Sequence, residues 1–389
     1  MNKKFKILCT IVLSLLIIIS NNSFKVDAAT SNESSIQINE KNLGAYLTKV
    51  SGKKWKNMKI LKDTNLYDFN NKLVAHNLDL QNIDTNEEGY VIISQDDNDE
   101  PILEFSLDAQ SPYARFDSGN DITFIYSEML GYYTKESVIS DNKSDNIYYD
   151  IINDHKLSDA AVKFMIESDN TRKYKSQRSN NEVKKLRSIL SNPQDETNST
   201  TDDSSITPCS SDTVENILSV PDYSWTYGCA PTAAAMILEY DYPSKMPSDE
   251  NTLMYELSNA MGTDPLGGSS GGSTQINKIP QGIRKVCKNH GVTVLTWNDG
   301  YGRSNSTYSE YTSEIENDHP LMVILLKSTL ETPAYSGGFG DHGMAGVGYS
   351  YNKGDNSKYI IVHDTAVEGD VYLNFNASGL GTNIWNYVH

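Results

Sequence analysis

Hydrophobic and polar positions divide the chain into an apolar start, two patterned regions and a polar stretch between them. The first patterned region ends near residue 190 and mixes helical with strand periodicity. Helices are expected at 42–50, 158–168 and 181–190, and strands at 66–69, 73–80, 90–94 and 102–107. This mixture indicates a small α+β domain.

The second patterned region begins near residue 213, and its helices precede most of its strands. Helical patterns cover residues 232–239, 276–290 and 309–316, and strand patterns cover 292–297, 321–326, 344–349 and 359–362. Helices followed by clustered strands are typical of an α+β fold rather than a doubly wound sheet. The predicted fold class is therefore α+β for this region as well.

The polar stretch at residues 191–212 has no aromatic residue and almost nothing apolar. Such a segment cannot bury enough surface to offset the entropy lost on ordering, and exposed segments of this kind are natural sites of proteolytic nicking. The expected organisation is a pro- or accessory domain at 29–190, a disordered linker at 191–212 and a C-terminal domain at 213–389.

The start of the chain has the pattern of a secretory signal. Three lysines within the first six residues precede an apolar run at 7–19, and small residues at 26–28 suit a signal peptidase. The run is short for a bilayer span, which needs about 20 residues. We expect a signal peptide at 1–28 and a secreted, extracellular protein without stable membrane insertion after cleavage, with association at the cell surface left open.

The net charge of the chain limits the classes of binding partner. The chain has 33 basic and 51 acidic residues, a net charge of −18, which disfavours nucleic acid and anionic membranes as partners.

The cysteine count limits the possible disulfides. Of the four cysteines in the chain, Cys9 leaves with the signal peptide. The remaining three leave at least one thiol unpaired within an exported chain, and a Cys209–Cys287 disulfide stays an open alternative.

Cys229 is the first candidate for chemistry. It stands just before the predicted helix at 232–239, and Pro231 suits a first helical turn. A thiol at a helix N-terminus lies near the positive end of the helix dipole and near free N–H groups, which favour the reactive thiolate. The alternative interpretation is a buried structural cysteine.

His342 and Asp364 are the next candidates, each at one end of a predicted strand. His342 opens a strand rich in Gly and Ala, and Asp364 closes the apolar strand at 359–362. An acceptor at Asp364 could fix the tautomer of the imidazole, as a catalytic triad requires. Asp364 could instead be a strand-end residue that starts a turn, and His363 is expected to lie on the other face.

Three motifs in this order resemble the C39-like branch of papain-fold cysteine peptidases: residues 228–233, residues 341–344 with 348–349, and residues 362–364. The resemblance covers roughly residues 217–389. It implies a papain-like fold in which Cys229 is the nucleophile, His342 the general base and acid, and Asp364 the orienting residue. It also implies a peptide or protein substrate, a thioester acyl-enzyme, no cofactor and no metal.

The chain departs from this resemblance at one position. Papain-like enzymes carry a Gln about six residues before the cysteine, where its amide stabilises the oxyanion, but Tyr223 occupies that position here. Candidate donors are Tyr223, Ser224 and Tyr227, beside the backbone N–H of Cys229. Loss of one such donor costs about 10²–10³ in rate. The alternative function is therefore a non-catalytic papain-like module for adhesion or cell-wall binding.

The N-terminal region has a fainter resemblance, to the prodomains of secreted streptopain-type peptidases. It rests on residues 72–78, 89–94 and 101–103. It implies a zymogen that processes itself at the linker. The alternative is a surface-binding domain that stays attached.

Overall fold

The computed structural model describes residues 37–116, 122–127, 129–140, 143–152, 155–171, 175–192, 212–264, 272–299, 306–326, 342–380 and 382–389. The signal peptide expected at 1–28, most of the linker expected at 191–212, and Cys209 lie outside these residues. Residues from Ile38 to His389 form one compact unit. Within the described residues, no helix is both long enough and apolar enough to cross a bilayer.

The N-terminal region is built mainly from strands, with one helix before them and two after. It contains α1 (Glu40–Ser51), β1 (Met58–Tyr67), β2 (Leu73–Asn82), β3 (Glu88–Ser94), β4 (Ile102–Ser106), β5 (Ile122–Tyr126), β6 (Tyr132–Ser140), β7 (Lys143–Asp150), β8 (His155–Lys156), α2 (Asp159–Thr171) and α3 (Asn180–Ser191). Helix α3 begins with a capping box, in which Ser179 and Glu182 each accept from the other's backbone N–H.

The C-terminal region places most of its helices before its long strands. It contains β9 (Thr213–Ile217), α4 (Cys229–Asp241), α5 (Glu250–Met261), a 3₁₀ turn (Ile276–Lys278), α6 (Ile279–Asn289), β10 (Thr296–Asp299), α7 (Tyr308–Glu316), β11 (Leu321–Leu326), β12 (His342–Asn352), β13 (Ser357–His363), β14 (Val371–Asn374), a second 3₁₀ turn (Ser378–Leu380) and β15 (Thr382–Val388).

The described strands of both regions belong to one sheet. Its order is β10-β15-β11-β12-β13-β14-β4-β3-β2-β1-β5-β6-β7-β8, and β9 pairs with β12. The regions meet where β14 pairs antiparallel with β4, from Val371 opposite Ser106 to Leu373 opposite Glu104. The mixed architecture with a large sheet is compatible with the predicted α+β class.

Side chains reinforce this junction between the two regions. Phe105 on β4 stacks on Tyr372 of β14, with ring centroids 4.6 Å apart. The fully buried Glu100 pairs with the buried Arg178, whose guanidinium also donates to the carbonyl of Asp355 at 3.1 Å. Separation of the two regions would expose the buried rings of Phe105 and Tyr372 and would remove one acceptor from the buried guanidinium of Arg178, so it costs free energy.

Basic residues near α1 add ion pairs across the same boundary. Lys49 lies 2.8 Å from the carboxylate of Asp355, and Lys53 lies 3.2 Å from Asp370. Lys53 also lies 2.6 Å from Asp108 within the N-terminal region. The N-terminal region thus contacts the turn after β12 and the loop before β14. Lys49 and Lys53 are partly exposed, so each of these pairs contributes less than the buried one.

Candidate active site

Cys229 is the first residue of helix α4, as the sequence indicated. The segment after it is small and apolar, and residues from Ala230 to Leu238 are buried. The hydroxyl of Thr232 donates to the carbonyl of Gly228 at 2.8 Å, which ties the first turn together. The Cys229 residue itself is only partly buried, so its thiol lies at the positive end of a buried helix and within reach of solvent.

The backbone conformation of Gly228 allows the chain to turn into helix α4. Its φ of +132° is one that side chains rarely adopt, and a Cβ there would lie 2.3 Å from the carbonyl oxygen of Gly272. The neighbouring indole of Trp225 also packs on Gly272. The loop before Cys229 is therefore held by a close backbone approach that only glycine permits.

His342 is the first residue of β12 and is buried, with 2% of its surface exposed. The next residue, Gly343, packs on the first turn of α4: a Cβ at Gly343 would lie 3.5 Å from the Cα of Ala230. This contact brings the residues that follow Cys229 and His342 against each other. The helix start and the strand start therefore meet at one place.

The imidazole of His342 is oriented by a backbone carbonyl. Its Nε2–H donates to the carbonyl oxygen of Asp364 at 2.6 Å. A carbonyl only accepts, so this bond places the ring proton of the neutral imidazole on Nε2 and makes Nδ1 the basic nitrogen. The sequence prediction was that the side chain of Asp364 would do this, and the structure assigns the contact to the main chain of the same residue.

The carboxylate of Asp364 organises the turn after β13. Its Oδ1 accepts from the backbone N–H groups of Ala366 at 2.9 Å and Val367 at 3.0 Å, and its Oδ2 is buried without a hydrogen-bond partner among the described residues. Burial raises the pKa of Asp364 to about 7, despite those two hydrogen bonds. The side chain thus shapes the loop whose carbonyl holds His342.

The loop before Cys229 is docked on this same turn. The N–H of Trp225 donates to the carbonyl of Thr365 at 3.2 Å, and the N–H of Gly369 donates to Asp222 at 2.6 Å. Thr365 has a φ of +68°, which is strained for a β-branched residue. These bonds join the third motif to the first, so that all three motifs converge.

His363 belongs to a separate cluster. Its Nδ1 lies 3.2 Å from the carbonyl of Pro221 and its Nε2 lies 3.4 Å from Asp370. Burial lowers the pKa of His363, but the hydrogen bond to Asp370 and the charge of Asp222 outweigh it and raise the pKa. His363 is therefore a structural neighbour that fixes the loop around the site.

A pocket lies beside the Asp364 turn. It has a volume of about 520 Å³ and is lined by Asp222, Tyr223, Ser224, Trp225, Thr365, Ala366, Val367 and Glu368, together with Arg115, Ile151 and Ile152. The last three residues come from the N-terminal region. That region therefore supplies part of the wall next to the candidate catalytic residues.

The three candidate oxyanion donors have different surroundings. The N–H of Tyr223 approaches the sulfur of Met236 at 3.3 Å, and burial together with the charges of Glu239 and Glu250 raises the pKa of its phenol to about 12. Met236 and Glu239 lie two to three turns along α4 from Cys229, and Glu250 begins α5. The ring of Tyr227 packs against Tyr255 at 5.6 Å, and Ser224 is exposed beside the pocket.

Sequence reasoning missed Trp225 as a donor near the site. Its indole Nε1–H is buried and has no hydrogen-bond partner in the described part of the chain. A buried N–H of this kind can bind an incoming acceptor without first giving up another bond. The only sequence signal was a tryptophan four residues before Cys229.

Cys287 is buried within a helix, whereas Cys229 is partly buried at a helix start. Cys287 is a free thiol, fully buried on α6, and burial raises its pKa to about 11. A free Cys287 argues against the Cys209–Cys287 disulfide, although Cys209 itself lies outside the described residues. Cys287 is a structural cysteine and provides a matched control for experiments on Cys229.

A cysteine at the start of a helix that packs against a strand opening with an oriented histidine is the arrangement of a cysteine peptidase-like domain. Residues 217–388 match the model of the Peptidase_C39 like family. This match supports a C39-like, cysteine peptidase-like domain at the C-terminus and confirms the resemblance drawn from the three motifs. The N-terminal region lies outside this match. No curated protein matches the chain.

Proposed function

We propose that the chain is a secreted cysteine peptidase that hydrolyses peptide bonds through a thioester on Cys229. The observation that carries the proposal is the oriented imidazole of His342, whose Nε2–H is held by the Asp364 carbonyl at 2.6 Å, on a strand that packs beside the first turn of α4. The substrate is a peptide or protein. Export is proposed from the basic and apolar start of the chain.

The proposed reaction uses residues of the chain and water. Nδ1 of His342 takes the proton of the Cys229 thiol, and the thiolate adds to the carbonyl carbon of the peptide bond. The imidazolium then gives its proton to the leaving nitrogen as the C–N bond breaks, which leaves a thioester. A water molecule, deprotonated by His342, attacks the thioester, and the released thiolate regains the proton.

The carbonyl oxygen of the substrate becomes negatively charged when the thiolate adds and again when water adds, and it then needs hydrogen-bond donors. The backbone N–H of Cys229 at the start of α4 supplies one, with the helix dipole behind it. Tyr223, Ser224 and Tyr227 remain candidates for a second donor, and the buried indole N–H of Trp225 supports adding it to them.

The test is covalent labelling by a thiol-directed peptide electrophile. In a Cys209→Ala background, which removes the thiol of the expected linker, we expect the protein to be labelled at one site and the added Cys229→Ala change to abolish labelling. The Cys287→Ala variant is the matched control and should be labelled as fast as the wild type, because the Cys287 thiol is buried. Labelling that persists in Cys229→Ala would refute Cys229 as the nucleophile.

The alternative is a non-catalytic papain-like module for adhesion or cell-wall binding. The observation that favours it is Tyr223 at the position where papain-like enzymes carry the oxyanion glutamine. Such a module would still have the thiol, so labelling alone does not separate the two functions. Hydrolysis of a peptide library by the full-length chain, absent in Cys229→Ala, would decide for the enzyme.

We further propose that the chain is made as a zymogen that cuts itself within residues 191–212, and that both pieces stay together. The pairing of β4 with β14 and the hydrogen bonds from Arg178 to the carbonyl of Asp355 and from Asn374 to the carbonyl of Ile102 support an N-terminal region that remains bound after the cut. Its residues in the wall of the pocket support a lasting part in substrate binding. If Cys229 makes the cut, the Cys229→Ala protein should accumulate uncut.

A further inference from the structure

A cluster of two histidines and one glutamate lies at the end of the sheet away from Cys229. It consists of Glu314 on α7, His319 just before β11, and His389, which follows β15. One oxygen of Glu314 faces both imidazoles: Oε2 lies 2.7 Å from Nε2 of His389 and 3.5 Å from Nδ1 of His319. The two rings are 4.6 Å apart between centroids.

The end of α7 brings His319 back beside Glu314. The helix stops after Glu316, and Asp318 takes a left-handed conformation with a φ of +66°. The N–H of His319 then donates to the carbonyl of Glu314 at 3.0 Å, a bond typical of a left-handed helix end. The relative position of these two side chains is therefore set by the backbone.

The backbone of His389 is fixed as well. It pairs with Leu295 through two hydrogen bonds, of 2.8 Å from the His389 N–H and 2.7 Å to the His389 carbonyl. The edge of its ring packs on Trp297, with centroids 5.3 Å apart. All three side chains thus project from positions held by helix or strand bonds, which a preorganised metal site requires.

The spacing of the ligand atoms suits a small transition-metal ion. All three atoms lie within 4.8 Å of one another. Two ligands of a tetrahedral Zn²⁺, each at about 2.0–2.1 Å, are separated by about 3.4 Å. The 3.5 Å distance between Glu314 and His319 already has this value, and the shorter one to His389 needs to open by less than about 1 Å.

The types of ligand in the cluster also determine which metal ions it favours. Imidazole nitrogens suit Zn²⁺, Ni²⁺ and Cu²⁺, whereas Mg²⁺ and Ca²⁺ prefer oxygen ligands. Glu314 and His319 lie at the C-terminal end of α7, where the helix dipole favours a cation. The side chains of His319 and His389 are 45% and 33% exposed, so an ion can enter from solvent.

We propose that Glu314, His319 and His389 form a site for a divalent transition-metal ion of the zinc type, with water at the remaining position. The site is separate from the catalytic residues. Leu321, two residues after His319, lies at the start of β11, whereas Leu325 pairs with His342, and four strand residues span about 13 Å. The ion would join α7 to the end of β15 and stabilise that end of the sheet.

The test is calorimetric titration with ZnCl₂ of the full chain carrying Cys229→Ala and Cys209→Ala, so that thiolates do not compete for the metal. We expect one saturable site and a rise in the melting temperature at saturation. Adding His319→Ala, His389→Ala or Glu314→Gln should each weaken binding by at least tenfold. Co²⁺ should give the visible d–d spectrum of a four-coordinate site, lost in the same variants.

His290→Ala is the matched control. His290 lies 2.6 Å from Glu256, in an accessible His–Glu pair with which no third ligand is grouped among the described residues. Its removal should leave the affinity for Zn²⁺ unchanged. Absence of saturable binding in the background that lacks the thiols of Cys209 and Cys229, or equal binding in His319→Ala, would overturn the proposal, because the three side chains would then be an ordinary hydrogen-bonded group.

Discussion

The backbone carbonyl of Asp364, and not its carboxylate, should hold the imidazole of His342 in the proposed enzyme, and this can be tested by changing the side chain alone. Asp364→Asn keeps an oxygen that can accept from the N–H groups of Ala366 and Val367, which now bond to Oδ1 at 2.9 and 3.0 Å. The turn should survive, and with it the 2.6 Å bond from His342. We expect peptidase turnover to fall by less than about tenfold.

The size of the loss in turnover distinguishes orientation of His342 by the carboxylate from orientation by the backbone carbonyl. Where a carboxylate orients the histidine, replacing Asp by Asn leaves the geometry intact but lowers kcat by about 10⁴. Asp364→Ala should lower stability and turnover more than Asp364→Asn in this chain. It leaves two backbone N–H groups without an acceptor, which costs about 1–3 kcal/mol of stability for each group. A loosened carbonyl could then misplace the ring enough to cost about 10² in rate.

The assay is hydrolysis of a fluorogenic peptide, with the free energy of unfolding measured in parallel. Asp355→Asn is the control, since Asp355 accepts from Lys49 and Ser357 in the turn between β12 and β13, away from His342. That variant should lose stability without losing turnover. A loss of 10² or more in a folded Asp364→Asn protein would refute the reasoning and assign the orienting role to the carboxylate.

Three further predictions follow from the same geometry. The pKa of Asp364 is raised from 3.8 to about 7 on folding, so the folded state holds a proton that the unfolded chain releases. Stability should therefore fall by up to about 4 kcal/mol as pH rises from 4 to 7, and urea unfolding of Asp364→Asn should lack this part of the slope. Gly228→Ala should lower stability and thiol labelling, whereas Gly262→Ala, with a φ of +65° and nothing within 4 Å, should cost only about 1–2 kcal/mol. After cleavage by a protease whose site is inserted between residues 193 and 211, the two pieces should co-elute in native size exclusion and separate in denaturant. Release of the C-terminal piece in native buffer would contradict the shared sheet.

Local signals in the sequence predicted the elements that carry the candidate site. Pro231 indicated a helix start just after Cys229, with the helix expected at 232–239, and α4 begins three residues earlier, at Cys229 itself. The apolar run before Asp364 indicated a strand, and β13 covers it. These features depend on neighbouring residues, so periodicity and capping rules are sufficient to find them.

Other features were not predictable because they depend on distant residues. Strands β6 and β7 include polar stretches with weak alternation, and both form by pairing with their neighbours in the sheet. The junction of β4 with β14 joins residues about 270 positions apart, which no local pattern encodes. The sequence identified Asp364 by residue type, but the choice between its carboxylate and its carbonyl depends on the turn that follows.

The junction at β14 has a practical consequence for anyone who expresses the family-matched region alone. A fragment that begins near residue 213 would lose β4 and leave the N–H and C=O groups of β14 without their partner strand. Tyr372, which stacks on Phe105 in the full chain, would be exposed to solvent along the same strand. Such an apolar, unprotected edge is a template for pairing between molecules, and insoluble protein is the expected product.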